Sequence, residues 1–304
     1  MKEIGKIWMN GKLVPFKDAK VHVLTHALHY STAVFEGLRC YNTKHGPAIF
    51  RMPEHVDRFF TSAKLYSMKI RFTKKRITNG ILSTVRSTKF KECYIRPLAY
   101  YGYGHMGLTP LSNSVDVSIT CWPWKMGESS AGRVKGARCK TSSWLRIDSA
   151  FQPMHAKASS NYGNAALARV EALNEGYDEA IMLNRYGKVV EGNAENIFII
   201  KDGVIGTPPL NSGALEGITR DSVIQLIEEN DGFVIETNIE RDNLYSADEI
   251  FMTGTAAEVK SVTRVDKVII GNGKIGKLTK LLQKSYMDVV CGRDDRFTSW
   301  LHKI

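Results

Sequence analysis

Two glycine patterns, three histidines and five cysteines are the residues of this chain whose types and spacing first suggest chemistry. Gly102 to Gly107 (GYGHMG) and Gly271 to Gly276 (GNGKIG) both fit GxGxxG. That pattern binds a dinucleotide only when a strand precedes it, a helix follows to take the pyrophosphate, and a second strand ends in an acidic residue. After Gly107 comes LTPLSNS, whose proline and turn formers cannot start a long helix. After Gly276 a helix can form, but GRDDRFTSWLHKI leaves no room for a second strand. His22, His26 and His29 could gather nitrogens on one helical face, where ligands at i and i+4 suit zinc. No cysteine or carboxylate stands nearby to complete a site, so they read as core or interface histidines and no metal is expected. Cys40, Cys93, Cys121, Cys139 and Cys291 are widely spaced without a CxxC pair. They read as buried thiols, neither a disulfide framework nor a zinc ribbon.

Covalent chemistry through a lysine asks for several residues at once. An amine forms a Schiff base with pyridoxal 5′-phosphate, a carboxylate pairs with the protonated ring nitrogen, and helix-terminal N–H groups, hydroxyls and an arginine take the phosphate. Composition does not single out one lysine among 42 basic residues. An ordered series of blocks does so by resemblance: HAKASSNYGNAAL around Lys157, VVEGNAENIF around Glu195, LEGITRD at Leu215 to Asp221, and FMTGTAAEV around Thr255. In that order they resemble the motifs of fold-type IV pyridoxal-phosphate enzymes. HALHYSTAVFEGLR near the start and YIRPL at Tyr94 to Leu98 resemble those of the branched-chain aminotransferases in particular. The blocks run from about residue 7 to 283, nearly the whole chain.

The resemblance implies roles position by position. Lys157 is the cofactor-bearing and catalytic lysine, Glu195 the partner of the ring nitrogen, and Tyr162 a hydrogen-bond partner of the ring's phenolic oxygen. Arg58, the N–H groups of Ile218 and Thr219 beside Gly217, and the hydroxyls of Thr219 and Thr255 hold the phosphate, and Leu215 packs against the ring. Tyr94, with the backbone of Thr255, Ala256 and Ala257, takes the substrate carboxylate. Phe35, Gly37, Tyr162 and Trp124 line the side-chain pocket, which Tyr30, Met106 and Leu108 enter from a neighbouring subunit. Arg96 pairs with the distal carboxylate of glutamate or 2-oxoglutarate. Such an apolar pocket suits Leu, Ile and Val, since each buried methylene gains about 0.8 kcal/mol. The partners implied are amino acids and 2-oxo acids, and a second copy of the chain. The assembly is a homodimer at least, with a trimer of dimers (a hexamer) as the larger form the resemblance allows.

Two departures stand out. WPWKMGES replaces the usual WPWGAYLG, which puts Gly127 where a tyrosine is expected, and Ser31 replaces a glycine in HYST. D-amino-acid aminotransferases, (R)-amine aminotransferases and aminodeoxychorismate lyase share the cofactor residues and remain alternatives. A basic module that binds nucleic acid is the non-enzyme alternative.

The elements that must position these residues follow from periodicity. Lys20 to Leu24, Ala48 to Arg51, Cys93 to Tyr100 and Val115 to Cys121 read as strands. Pro53 to Lys64 reads as a helix with Val56, Phe59, Phe60 and Ala63 at helical spacing and proline in its first turn. A second helix spans about Ser160 to Glu175, with Ala165, Leu167, Ala168, Val170 and Leu173 as its apolar residues and Gly176 closing it. EAIML, KVVEG, NIFII and VIGTP then follow in quick succession, and their short connections make them largely antiparallel. Gly217 to Asp231 reads as a helix opening at Thr219, with Asp221 in its first turn. EIFMTG and VDKVII read as strands before a helix near Leu278 to Val290. The elements thus read as α+β with mixed sheets, and the resemblance implies the fold-type IV arrangement of the D-amino-acid aminotransferases. It divides into a small N-terminal domain (1–123), an interdomain loop (124–135) and a larger cofactor-binding domain (136–304).

With 304 residues, 43% hydrophobic and 24% charged, the chain is long enough for two packed domains and too apolar for disorder. MKEIGKIWMNGKLVPF lacks the continuous apolar centre of a secretory signal, and no apolar run approaches the roughly 18 residues of a membrane helix. The expectation is a cytoplasmic protein that binds neither membrane nor nucleic acid. Its formal charge of +11 is spread over scattered Lys and Arg, as on a solvated basic surface.

Overall fold

The computed structural model describes residues 5–124 and 135–304. Gly127 and the interior of the loop expected at 124–135 lie outside the described residues. The chain divides into two compact units. The first comprises Met1–Met126, Ala156–Ser160 and Val289–Ile304, and the second Gly127–His155 and Asn161–Asp288. The first unit thus takes back a five-residue piece carrying Lys157 and the C-terminal tail, whereas the sequence reading kept everything from 136 onward together.

In the first unit the strands are β1 (Lys6–Met9), β2 (Lys12–Pro15), β3 (Ala33–Phe35), β4 (Leu38–Thr43), β5 (Gly46–Phe50), β6 (Cys93–Tyr101) and β7 (Val115–Pro123). With the terminal strand Leu301–Lys303 they form an eight-stranded antiparallel sheet in the order terminal strand, β5, β4, β6, β7, β1, β2, with β3 also pairing β6. Helix α1 (His26–Tyr30) is a single short turn. Helices α2 (Met52–Leu65) and α3 (Lys74–Thr88) bury Val56, Phe59, Ala63, Ile77, Ile81 and Val85 in one cluster with Cys40, Cys93, Ile95 and Cys121. Side chains alternate across a strand, so Tyr94 and Arg96 point to the sheet face opposite Cys93 and Ile95.

The expected strand at Lys20 to Leu24 does not form. No strand pairs with it, and it makes a turn in which the Leu24 N–H donates to His22 Nδ1 at 3.1 Å. His26 is fully buried, with Nδ1 2.9 Å from Thr32 Oγ1 and Nε2 3.0 Å from the Gly107 carbonyl. It is a core histidine that ties the start of α1 to the 102–108 segment.

The second unit holds strands β8 (Ala137–Thr141), β9 (Glu179–Leu183), β10 (Lys188–Gly192), β11 (Asn196–Lys201), β12 (Val204–Thr207), β13 (Val234–Glu236), β14 (Ile239–Glu240), β15 (Glu249–Gly254), β16 (Glu258–Val265) and β17 (Val268–Ile269). They form a ten-stranded sheet in the order β13, β12, β11, β15, β16, β8, β9, β10, β14, with β17 beside β16. The β12–β13, β16–β8 and β8–β9 pairs are parallel and the others antiparallel. VDKVII is a hairpin rather than one strand, because Asp266 takes φ 53° and folds β17 back on β16.

Helix α4 (Ser159–Asn174) buries Ala165, Ala168 and Ala172, while Leu167, Val170 and Leu173 are exposed. The large apolar residues expected to pack inward point outward, and the alanine stripe packs against Ala180 and Met182. Helix α5 (Ile218–Glu228) begins one residue before Thr219, with Gly217 as its N-cap. Helices α6 (Arg241–Ser246) and α7 (Lys277–Val290) complete the elements named here.

Candidate active site

Lys157 sits in an extended stretch just before α4, and two backbone contacts fix it. The Phe35 N–H donates to its carbonyl at 3.0 Å, and its own N–H donates to Ser62 Oγ of α2 at 2.9 Å. Ala158 bridges Val34 of β3. The lysine is thus stitched to a strand and a helix of the first unit, with Nζ 5.1 Å from the centre of the Phe35 ring. Burial, aided by the Arg58 charge and opposed by Glu36, lowers its pKa to about 8. An amine so tuned is about a tenth unprotonated at pH 7, roughly 300 times the fraction of an ordinary lysine, which favours a nucleophile or base.

Arg58 does not stand alone. Its Nε donates to Glu36 Oε1 at 2.6 Å and its Nη2 to Glu36 Oε2 at 3.0 Å. His55, one turn earlier on α2, places Nδ1 2.7 Å from the same Oε2. Glu36 is fully buried. Burial alone raises a carboxyl, but Arg58 and His55 together outweigh it and hold Glu36 well below the usual carboxylate range. Burial keeps His55 below its ordinary value despite Glu36, and its Nδ1 faces the carboxylate. The two-pronged Arg–carboxylate geometry fixes where the guanidinium points. Neither Glu36 nor His55 was anticipated, although His55 and Arg58, three apart on one helix, share a face.

The polar-aromatic face of β6 carries Tyr94 and Arg96. Tyr94 stacks on Trp122 (ring centres 5.0 Å apart, 26° between planes) and lies 5.6 Å from Trp124. The Arg96 guanidinium sits 4.6 Å from the Phe35 ring centre and 5.3 Å from that of Tyr94, and its Nη2 donates to the Tyr94 hydroxyl at 3.4 Å. Among the described residues its buried Nε has no hydrogen-bond partner. A side chain at Gly37 would overlap the Tyr94 hydroxyl, so the glycine is what lets Tyr94 lie there. Trp122 was also not anticipated. Lys157, Arg58, Phe35, Gly37, Tyr94, Arg96 and Trp124 all belong to the first unit. So do Tyr30, whose hydroxyl donates to the Met106 carbonyl at 3.1 Å, and Leu108, which is 77% exposed.

The remaining expected residues belong to the second unit. Glu195 precedes β11 and is buried; the Ala194 N–H donates to its Oε2 at 3.1 Å. Leu215 is pinned from both sides of its peptide: its N–H donates to Glu191 Oε2 at 3.1 Å, and Asn196 Nδ2 donates to its carbonyl at 2.9 Å. Arg146, 2.7 Å from Glu191, balances that carboxylate in the interior. A side chain at Gly217 would collide with Asn196, so this turn also needs glycine. The turn delivers the start of α5, where no side chain caps the first N–H groups and Thr219 is buried. Thr255, Ala256 and Ala257 form the three-residue loop that joins β15 to β16, closed by Glu258 in the left-handed region at φ 58°. Tyr162 lies in the first turn of α4.

The first unit offers a lysine of lowered pKa and an arginine clamped by Glu36, and the second offers a buried carboxylate and a helix start with a buried threonine; these are the group types that a phosphorylated aldehyde cofactor needs. Among the described residues, no group of three or more His, Cys, Asp or Glu could hold a metal ion.

The comparisons with known proteins point the same way. The family model for class IV amino-transferases matches residues 33–265. A branched-chain-amino-acid aminotransferase of Pseudomonas aeruginosa is 43% identical over 296 residues, 97% of this chain and 96% of that protein. The crystal structure of a T.th. branched-chain amino acid aminotransferase complexed with N-(5′-phosphopyridoxyl)-L-glutamate superposes with TM-score 0.95 at 46% identity, covering 100% of this chain and 99% of that one. That of the Thermobaculum terrenum branched-chain amino acid aminotransferase in its PLP form superposes with TM-score 0.92 at 34% identity, covering 99% of this chain and 98% of that one. With a family model spanning most of its length and relatives matched end to end, this chain belongs to the branched-chain-amino-acid aminotransferases of class IV.

Proposed function

We propose that this enzyme transfers the amino group of branched-chain L-amino acids (Leu, Ile, Val) to 2-oxoglutarate, giving branched 2-oxo acids and L-glutamate, with pyridoxal 5′-phosphate as its cofactor. The residues present fit that group. Lys157 supplies an amine tuned to about 8, Glu195 a buried carboxylate for the ring nitrogen, and Tyr162 a phenol for the ring oxygen. Arg58, Ile218, Thr219 and Thr255 supply phosphate donors, and Leu215 an apolar contact for the ring.

When bound, the cofactor supplies an electron sink that stabilises negative charge at the substrate α-carbon. Lys157 Nζ first holds the cofactor and, once displaced by substrate, takes the α-proton and delivers it onward, a role that suits an amine titrating near neutrality. Tyr94 and the loop N–H groups of Ala256 and Ala257 orient the substrate carboxylate. Phe35, Tyr94, Trp122 and Trp124 offer apolar surface to a branched side chain, and Arg96 offers a cation to the distal carboxylate of the second substrate.

The observation that carries the substrate reading is Arg96 itself: a guanidinium embedded among aromatic rings, with a buried Nε that lacks a hydrogen-bond partner among the described residues. A buried unsatisfied donor costs about 1–3 kcal/mol. A carboxylate that reaches it recovers that cost, while an aliphatic side chain uses the rings instead. The T.th. relative was solved with a glutamate adduct, which supports the same assignment.

A homodimer is the assembly this reading requires. Val23, Leu28, Tyr30, Tyr103, Leu108 and Leu111 of the first unit are all exposed, apolar side chains that a second copy of the chain would cover. A mass measurement in solution tests the homodimer and reads any association of dimers into a hexamer. All five cysteines are buried thiols, which supports a cytoplasmic setting. No helix among the described residues is long and apolar enough to cross a membrane.

The test is a panel of L-amino acids, D-amino acids and (R)-phenylethylamine with 2-oxoglutarate or pyruvate as acceptor. Turnover of Leu, Ile and Val with 2-oxoglutarate is expected. Activity confined to the D-amino acids or the amine would overturn the reading, and release of pyruvate from aminodeoxychorismate would replace it with a lyase.

A further inference from the structure

The second unit contains a set of four charges, three of them buried and the fourth, Arg169, partly exposed, that the roles above use only at one end. Lys260 of β16 is 6% exposed, and its Nζ donates to Glu179 Oε1 of β9 at 2.7 Å. The same Nζ lies 3.7 Å from Glu195 Oε1. Arg169 of α4 pairs with the other oxygen of Glu179. Two cations and two carboxylates thus balance in the order Arg169, Glu179, Lys260, Glu195. Burying an ammonium costs several kcal/mol unless partners surround it, and Glu179 alone would supply its counter-charge. The approach to Glu195 is the feature that a purely structural ion pair leaves unexplained.

We propose that Lys260 is a positioning residue for Glu195, its tethered ammonium keeping the Glu195 carboxylate negative so that the shared proton resides on the cofactor's ring nitrogen. The proposal rests on the reading of Glu195 as the ring-nitrogen partner. A proton between a carboxylate and a pyridine can sit on either. With the proton on nitrogen the carboxylate is charged, and a cation beside that carboxylate favours this state; with the proton on oxygen the cation gains little. In a poorly solvated interior the bias is larger than it would be in water. Arg169 and Glu179 fix the ammonium in place, so Lys260 stays beside Glu195 instead of turning to solvent.

The experiment reads the ring nitrogen directly. The full-length enzyme is reconstituted with pyridoxal 5′-phosphate labelled with 15N in the ring, and the 15N chemical shift is recorded at neutral pH for the wild type, Lys260→Met, Lys260→Arg and Glu195→Gln. The wild type and Lys260→Arg should give the shift of a protonated pyridine, and Glu195→Gln that of an unprotonated one. Lys260→Met should move by at least half of the displacement that Glu195→Gln produces. Should Lys260→Met fold poorly with Glu179 left unbalanced, the double variant Glu179→Gln/Lys260→Met keeps the set neutral and should move in the same way. A displacement in Glu195→Gln with none in either Lys260→Met background overturns the role of Lys260 while leaving that of Glu195 standing. No displacement in Glu195→Gln overturns the reading of Glu195 itself.

Discussion

Arg58 and Glu36 form a two-pronged pair in the interior of the first unit, Nε to Oε1 at 2.6 Å and Nη2 to Oε2 at 3.0 Å, with His55 closing the second oxygen at 2.7 Å. The pair aims the guanidinium and makes Glu36 a strong contributor to stability. Its loss leaves a buried arginine without its counter-charge, so Glu36→Gln should destabilise the protein by about 3–5 kcal/mol. The pH dependence has a definite sign. Glu36 titrates lower when folded than when unfolded, so its contribution is fully present above the unfolded value of 4.5 and fades as the pH falls below it. The difference in melting temperature between wild type and Glu36→Gln should be largest at pH 7 and shrink below pH 4.5. An equal difference at both would mean that the charge of Glu36 contributes nothing.

Lys157 should titrate near 8 in the cofactor-free enzyme. Reductive 13C-methylation followed by NMR titration measures this lysine directly, with Lys157→Ala to assign the signal. Since the folded value lies below the ordinary 10.5, the charged amine is disfavoured by the fold below about 8, and stability recovers as the pH rises from 8 towards 10.5. A midpoint at the ordinary lysine value would contradict the burial and the Arg58 charge to which the shift is attributed.

Gly37→Ala should cost activity while leaving most of the fold intact. The added methyl has no room beside the Tyr94 hydroxyl, so Tyr94 must leave its place on Trp122. Misplacing an orienting group by about 1 Å can cost about 100-fold in rate. Steady-state kinetics should show kcat/KM falling by ten-fold or more for every amino acid. Unchanged kinetics would remove Tyr94 from the substrate-orienting role.

Arg96→Gln should separate the two substrate types. The KM for 2-oxoglutarate should rise about 100-fold, the loss of one charged contact worth about 3 kcal/mol. The KM for leucine should change by less than about three-fold. Arg96→Lys should not restore the loss, since a lysine lacks the flat fork that lies among Phe35, Tyr94 and Trp122. An equal rise for both substrates would assign Arg96 to general architecture.

Much of the fold was legible because its signals are local. Alternation placed β6 and β7, the NIFII and VIGTP runs placed β11 and β12, and the apolar stripe with an early acidic residue placed the start of α5 to within one residue, although the helix ends at Glu228, three residues before the expected Asp231. Signals failed where the deciding partner is remote or small. Lys20 to Leu24 reads as a strand, yet its hydrogen bonds go to nearby residues and to His29 instead of to a described strand. Helix α4 packs through alanines, which a count of large apolar residues overlooks. Of the candidate site, the ordered motif series located the residues expected to touch cofactor and substrate. The charges behind them stayed hidden: Glu36 looks like a strand-edge carboxylate, and Lys260 meets Glu179 across 81 positions of sequence, with no period to announce the contact.

The central claim is that Lys157 carries the cofactor. Reduction of the yellow enzyme with borohydride, proteolysis and mass spectrometry would locate the phosphopyridoxyl group on one peptide. The predicted result is a single labelled lysine, Lys157, in the HAKASSNYGNAAL segment, with no label in Lys157→Ala. Label on another lysine, the buried Lys260 included, or label that persists in Lys157→Ala, would contradict the account.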